Sequence, residues 1–210
     1  TMFIHERESV AVMMKRLYDR FLTTSTGGNV SLRLDAHTVC ITGGSSDKSL
    51  LTKEEVGVVT LSNNNLTPTI RLSSETEMHL SIYQSREDVK AIIHAHPLYA
   101  TSFSALKEIP RIDLIGESFV VLKEVAFVAY EQMGTKALAS KVSSALKKCD
   151  VALLENHGVV SVGSTLLEAF DKLEVLEQSA HMTLITEMME SLSKKWKVSP
   201  LTESAKKDLS

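Results

Sequence analysis

Hydrophobic and polar residues in the first forty positions follow two different periods. Apolar side chains at helical spacing predict a helix from His5 to Phe21, built around Val10, Met13, Met14 and Leu17. A polar run with two glycines at 23–29 ends this helix. Apolar residues then alternate with polar ones from Val30 to Leu34, and β-branched residues dominate from Thr38 to Ile41. Two strands joined by a turn are therefore predicted there.

The remaining chain continues to switch between helical and strand patterns. Thr52 with Glu55, and Ser74 with Glu77, each match a capping box at a helix start, and the second of these helices extends to about Arg86. The other predicted elements are a strand from Val89 to His94, a helix between Pro97 and Pro110, one or two strands from Phe119 to Tyr130, a helix from Gln132 to Lys147, strands Val151 to Leu154 and Val159 to Val162, and a helix from Thr165 to about Glu190.

The order of these elements predicts an α/β fold. Several consecutive strands are joined by short turns, so we expect a mixed, largely antiparallel sheet rather than a doubly wound parallel one. We predict one domain over residues 1–190. Residues 191–210 carry five lysines and two acidic residues, and we interpret them as a Lys-rich C-terminal tail that is most simply solvated, although it could fold over a neighbour.

Composition and charge exclude several classes of protein. The formal net charge is −3 without a long basic stretch, which disfavours a nucleic-acid partner. Two distant cysteines, Cys40 and Cys149, form neither a disulfide framework nor a thiolate metal motif, and we expect free, mostly buried thiols. The start lacks a signal-peptide pattern and no long apolar run follows, so we expect a cytoplasmic protein without a membrane partner.

Three of the seven histidines stand at the ends of predicted strands. His94 and His96 are two residues apart, so they face the same side of a strand and can bind one metal ion. His157 follows another apolar strand and precedes Gly158. Three neutral imidazoles are a common zinc ligand set that leaves a position open for substrate. The alternative is that the paired histidines are ordinary core or surface residues and that His157 is a turn residue.

A carboxylate for the same site stands in the segment 73–79. If Ser74 caps the helix, Glu77 is engaged in the capping box, which leaves Glu75 free as a fourth ligand or a base. The alternative role of both acids is compensation of the helix dipole. For His79, one turn further on, we expect a structural hydrogen-bonding role.

Three segments have the composition of anion-binding loops. The runs GGNVS at 27–31 and TGGSS at 42–46 combine glycines with hydroxyl and amide side chains, and Ser73 and Ser74 stand at a predicted helix N-terminus. Neither glycine run matches a nucleotide-binding motif. Each loop alone is typical of a turn, but three loops beside a metal motif indicate a small phosphorylated substrate.

Five motifs in order, GGNVS, the Thr-Gly-Gly-Ser loop, SSE followed by MH, HAHP and ENHG, resemble the class II aldolase/adducin family over Val10 to Leu184. The resemblance implies a three-layer α/β/α sandwich and a homotetramer with sites between subunits. It implies one Zn²⁺ per subunit, with His94, His96 and His157 as ligands and Glu75 as ligand and acid/base. The residues it assigns to the substrate phosphate are Gly28, Asn29, Gly44, Ser45, Ser73 and Ser74.

The implied reaction is zinc-dependent, reversible cleavage of a small ketose 1-phosphate to dihydroxyacetone phosphate and an aldehyde. The chain departs from the family pattern in the loop Thr42–Ser45, which has one hydroxyl donor fewer. Leu114 stands where family members have a catalytic tyrosine, and no tyrosine follows Tyr130. Sugar-phosphate epimerisation or dehydration at the same zinc site, or an adducin-like binding module, are therefore the alternatives.

Overall fold

The computed structural model describes residues 2–210 as an α/β structure with one sheet. The helices are Ile4–Asp19 (α1), Thr76–Ser85 (α2), Leu98–Leu106 (α3), Gly116–Leu122 (α4), Lys136–Ala145 (α5), Leu166–Leu192 (α6) and Glu203–Leu209 (α7), and a short 3₁₀ helix spans Lys53–Glu55. The strands are Asn29–Arg33 (β1), Thr38–Thr42 (β2), Val56–Thr60 (β3), Ala91–Ala95 (β4), Val125–Val128 (β5), Val151–Leu154 (β6) and Gly158–Gly163 (β7).

The seven strands form one mixed sheet in the order β3-β2-β1-β4-β7-β6-β5. Every neighbouring pair is antiparallel except β5 and β6, which are parallel. The prediction of a mixed, largely antiparallel sheet is therefore confirmed. The central strand β4 pairs with β1 on one side and β7 on the other, so it joins the two halves of the sheet.

Helices cover both faces of this sheet. Helices α1, α3, α4 and α6 contribute to one apolar core, and α2 and α5 pack together over the other. Successive residues of β4 alternate between the two cores: Ile93 faces the first, and Ile92 faces the second. Because β4 is buried on both faces, its sequence is apolar throughout until His94. The three-layer α/β/α architecture is confirmed.

One predicted strand is wrong in part. The segment from Phe119 to Tyr130 begins within α4, and only Val125–Val128 is a strand. The β-branched residues favoured a strand, but helical spacing buries Ser118 and Leu122, four residues apart, beside α6. Tertiary packing of this short helix outweighs the weak strand propensity of its sequence.

The predicted capping box at Ser74 and Glu77 is also wrong. Helix α2 begins at Thr76 with Glu75 in the N-cap position and no side-chain cap. The carboxylate of Glu77 instead accepts a hydrogen bond from the side chain of Asn63 at 3.1 Å. The carboxylate of Glu75 does not cap the helix, because its side chain points toward the histidines, as described below.

Residues 191–210 contain a short helix of their own. Helix α7 packs against α4, and the backbone N–H of Leu201 donates to the carbonyl of Asp113 at 2.8 Å. The Asp113 carboxylate also lies 3.3 Å from the ammonium of Lys206. These contacts place the short helix α7 against a segment of the same chain.

Two further predictions concern the cysteines and the membrane. Cys40 and Cys149 are free and buried, as expected. Across residues 2–210, no helix has the length and apolar character needed to cross a bilayer.

Candidate metal centre and anion pocket

The three strand-end histidines converge at one edge of the sheet. His94 lies near the end of β4, His96 just beyond it, and His157 immediately before β7. Because β4 and β7 are antiparallel neighbours, with Ala95 opposite Val159, the end of one strand lies beside the start of the other. One ring nitrogen from each histidine lies within 4.8 Å of the others.

The buried ring of His94 has a fixed orientation. Its Nδ1–H donates to the backbone carbonyl of Val159 at 2.9 Å, because a carbonyl oxygen can only accept. When the ring is neutral, the opposite nitrogen, Nε2, carries its lone pair, and this atom lies 3.1 Å from Nε2 of His96. Burial alone would lower the pKa of His94, but the adjacent Glu75 carboxylate outweighs burial and raises it. A backbone carbonyl that fixes the tautomer in this way is typical of a metal-ligating histidine.

The buried carboxylate of Glu75 lies between the rings of His94 and His157. Its Oε2 lies 3.1 Å from Nε2 of His94, and its Oε1 lies 3.2 Å from Nε2 of His157. Oε1 has no partner with hydrogen-bond geometry within the described chain, although it is buried. Burial alone would raise the pKa of Glu75, but the adjacent His94 and His157 outweigh burial and hold it well below its usual range.

These four side chains fit a divalent cation. Lone pairs of the imidazoles and an unpartnered carboxylate oxygen face each other, an arrangement that a shared cation satisfies. Burial, together with the nearby His94 and His157, lowers the pKa of His96 to about 3, which keeps that ring in the neutral state that metals bind. Three nitrogens and one oxygen are a donor set suited to zinc.

A chain of buried hydrogen bonds through Asn29 and His79 orients the carboxylate of Glu75. Asn29 Nδ2 donates to Glu75 Oε2 at 3.0 Å, and His79 Nε2–H donates to Asn29 Oδ1 at 2.5 Å. On the other side of the ring, Ser31 Oγ donates to His79 Nδ1 at 2.6 Å and lies 2.8 Å from the hydroxyl of Tyr83. The structural hydrogen-bonding role predicted for His79 is confirmed. Burial lowers its pKa to about 3, so it is neutral in this chain.

A cavity of about 400 Å³ opens beside the histidines and Glu75. Most of its wall comes from three segments: the loop before β1, the loop after β2 and the segment that leads into α2. All residues predicted to bind the substrate phosphate line it, namely Gly28, Asn29, Gly44, Ser45, Ser73 and Ser74. The structure thus brings together three segments that are distant in sequence, and their role in phosphate binding remains a prediction.

Two of these glycines allow close backbone approach. Gly28 has a positive φ of 71°, and a Cβ there would lie 2.7 Å from the carbonyl oxygen of His94. A Cβ on Gly44 would lie 2.9 Å from the carbonyl oxygen of Leu72. The absence of a side chain lets the first loop pack directly on the strand that carries His94.

Sequence reasoning missed several residues that line the cavity. Lys48 and Arg71 contribute positive charge, and Met133 and Asn156 contribute further surface. Asn156 adopts a left-handed backbone conformation, with φ of 52°, directly before His157. For Lys48 there was one usable signal, a single lysine in a run of small and polar residues after the second glycine loop.

Of the departures from the family pattern, the Thr42–Ser45 loop lines the cavity, whereas those that concern tyrosines lie away from it. Leu114 and the exposed Tyr130 are not among the residues that line the cavity. Asp113, beside Leu114, forms ion pairs with Arg111 and Lys206. The cavity walls formed by residues 2–210 include no phenol.

Comparisons with known proteins identify related chains. A model of the Class II Aldolase and Adducin N-terminal domain matches residues 8–184. An L-fuculose phosphate aldolase of Methanococcus maripaludis is 41% identical over 170 residues, which is 80% of this chain and 91% of that protein. A 3-oxo-tetronate 4-phosphate decarboxylase of Haemophilus influenzae is 30% identical over 181 residues, covering 84% of this chain and 86% of that protein.

Solved structures agree with this assignment. A structure of an L-fuculose 1-phosphate aldolase superposes with a TM-score of 0.85 and 29% identity, over 98% of this chain and 94% of the other. Another, of the L-fuculose-1-phosphate aldolase from Thermus thermophilus, has a TM-score of 0.81 and 27% identity, over 90% of this chain and 98% of the other. The chain therefore belongs to the class II aldolase and adducin family, and it is a carbon–carbon lyase of the class II aldolase type.

Proposed function

We propose that the protein is a zinc-dependent aldolase that cleaves a small ketose 1-phosphate resembling L-fuculose 1-phosphate, reversibly, to dihydroxyacetone phosphate and an aldehyde. The observation that carries this proposal is the convergence of His94, His96, His157 and Glu75 at the wall of a polar cavity. The name of the relative from Methanococcus maripaludis supports the same substrate class.

The proposed roles divide between the metal ligands and the loops. The three histidines and Glu75 would hold the ion, and Zn²⁺, when bound, supplies a Lewis acid that stabilises negative charge on substrate oxygens. Glu75 would exchange the proton at C3 of the substrate as the C3–C4 bond breaks or forms. Asn29, through its bond to Glu75, would keep that carboxylate aimed at the reacting carbon.

The phosphate of the substrate would lie among the three loops. Backbone amides near Gly28 and Gly44 and the hydroxyls of Ser45, Ser73 and Ser74 line the cavity and can donate to phosphate oxygens. Fixing the phosphate places the ketose carbons at a set distance from the metal ligands. This positioning is what turns a metal site into a catalyst for one substrate.

We also propose that the protein acts in the cytoplasm as a homotetramer whose sites are completed at subunit boundaries. Aldol cleavage needs a group that takes the proton of the C4 hydroxyl and returns it to the aldehyde oxygen in the reverse reaction, and no phenol from residues 2–210 lines the cavity. A residue of a neighbouring subunit would supply it. Light scattering of the purified protein tests this assembly: a mass four times that of the chain is expected, and a monomer would contradict it.

Decarboxylation is the second candidate function, because a decarboxylase from Haemophilus influenzae is 30% identical. Epimerisation and dehydration remain alternatives at the same metal site. An adducin-like binding module is the least supported alternative, since all four proposed ligands are present and converge.

The deciding experiment compares products. The zinc-loaded protein is incubated with L-fuculose 1-phosphate, and triose phosphate is followed with a coupled NADH-dependent reductase, with His94→Ala as the inactive control. Release of dihydroxyacetone phosphate and aldehyde in equal amounts is expected. A changed sugar phosphate without triose release, or carbon dioxide release from 3-oxo-tetronate 4-phosphate alone, would reject the aldolase proposal.

A further inference from the structure

Lys48 is a buried cation inside the cavity wall. Its side chain is only 1% exposed, yet the residue lines the same cavity as Gly44, Ser45 and Ser73. The ammonium donates to the carbonyl of Gly43 at 2.9 Å and to Ser46 Oγ at 3.2 Å. An ammonium has three protons, so one is left for another acceptor.

No carboxylate in residues 2–210 forms an ion pair with Lys48 within 4.0 Å. By contrast, the other buried lysine, Lys172, forms ion pairs with Asp150 at 2.8 Å and Glu168 at 2.6 Å. A buried charge without a counter-charge is costly, and neutral oxygens offset only part of that cost. Lys48 therefore lacks the partner that its position demands.

The charge of the surrounding cavity favours an anion as that partner. Arg71 is exposed on the wall, and the described residues include no ion-pair partner for its side chain. Glu75 is the single carboxylate among the residues that line the cavity, and it faces the histidines. The cavity wall thus carries two cationic side chains away from the histidines. The nearby Glu55 carboxylate opposes the lowering of the Lys48 pKa by burial, but it forms no ion pair with Lys48.

We propose that Lys48 binds the phosphate dianion of the substrate directly, as a charged contact in place of the hydroxyl that the Thr42–Ser45 loop lacks. The proposal rests on the proposed function in one respect, the entry of a phosphate monoester into this cavity. It goes further in two respects. It names a charged residue that contacts the phosphate, and it predicts that the protein binds a phosphorylated sugar more tightly than the same sugar without its phosphate. The competing explanation is that Lys48 only fastens its loop through Gly43 and Ser46.

The test uses inorganic phosphate as the probe and metal-free protein, so that phosphate cannot bind to a metal ion. Titration calorimetry compares the wild type with Lys48→Met, which removes the charge, and Lys48→Arg, which keeps it. Lys148→Met, at an exposed lysine away from the cavity, is the matched control. Loss of a charge-assisted hydrogen bond predicts phosphate affinity weakened by about 10-fold to 100-fold in Lys48→Met. Lys48→Arg and the control are expected to stay within about 3-fold of the wild type.

Circular dichroism establishes that each variant is folded. If Lys48→Met does not fold, Lys48→Gln replaces it, since an amide can still donate to the Gly43 carbonyl without charge. Wild-type phosphate affinity in either folded, uncharged variant would overturn the proposal and leave the loop-fastening explanation. If phosphate binding depends on Lys48 but the protein releases no triose phosphate, the proposal for Lys48 is retained and the aldolase function is rejected. If the protein releases triose phosphate but the Lys48 variants bind phosphate like the wild type, the aldolase function is retained and the proposal for Lys48 is rejected.

Discussion

Replacing His79 with glutamine is expected to change how the stability of the protein depends on pH. His79 is fully buried between Asn29, to which it donates, and Ser31, from which it accepts. Glutamine offers one donor and one acceptor at a similar length but cannot be protonated near neutral pH. The variant therefore isolates the titration of one buried ring.

The size of the effect follows from the pKa of His79. Burial lowers it from the ordinary 6.5 to about 3 in the folded protein. Between these values the unfolded chain takes up a proton and the folded chain does not, so wild-type stability falls as the pH falls. At pH 5, about 1.5 units below the unfolded pKa, the loss amounts to about 2 kcal/mol relative to pH 7.5.

Urea unfolding of metal-free wild type and His79→Gln at both pH values measures this quantity. The carboxylates titrate alike in both proteins, so they cancel in the difference. The wild type is expected to be the more stable at pH 7.5, and its advantage is expected to shrink by about 2 kcal/mol at pH 5. Tyr83→Phe, which removes a hydroxyl from the same chain but no titrating ring, serves as the control and should show no such shrinkage.

A difference in stability that stays constant between the two pH values would refute the reasoning. It would mean that the ring of His79 takes up its proton while the protein remains folded. Because a protonated ring donates from both nitrogens, the hydrogen bond that His79 Nδ1 accepts from Ser31 would then be only one of two states.

Two further substitutions test the metal centre. Glu75→Gln is expected to fold and to lose aldol activity about 100-fold or more, as for a lost general acid/base, in the triose-release assay; unchanged activity would remove Glu75 from that role. Gly158→Ala places a Cβ 2.5 Å from the carbonyl oxygen of Ala95 and 2.6 Å from Cδ2 of His96. Crowding at this contact should cost about 1–3 kcal/mol in urea unfolding and weaken zinc binding, and a variant with wild-type values for both would contradict the described packing.

Much of the fold was predictable because its local signals agree with its tertiary structure. The strand β4 is apolar on both faces up to His94, and Thr165 caps α6 by accepting from the backbone N–H of Glu168 at 3.1 Å. The helix α4 was missed because its β-branched residues favour a strand, and only packing against α6 makes it helical. Such packing is not visible in a local window of sequence.

The candidate site was predictable where chemistry and spacing coincide. Histidines two residues apart in a strand face the same side, so their spacing alone predicts that they can share a metal ion. Glu75, in contrast, was selected because Glu77 was expected to form a capping box, and the structure does not contain that box. Lys48 was missed because burial of a loop lysine depends on how three distant segments close over it. A sequence pattern does not encode that closure.

The central claim is that His94, His96, His157 and Glu75 form one site for a divalent metal. Titration of zinc into metal-free protein tests it most directly, with His94→Ala as the altered site and the exposed His37→Ala as the control. The account predicts one tightly bound ion per chain in the wild type and in His37→Ala, with affinity lowered about 100-fold or more in a folded His94→Ala. A wild-type protein that binds no divalent metal at micromolar concentration would contradict it.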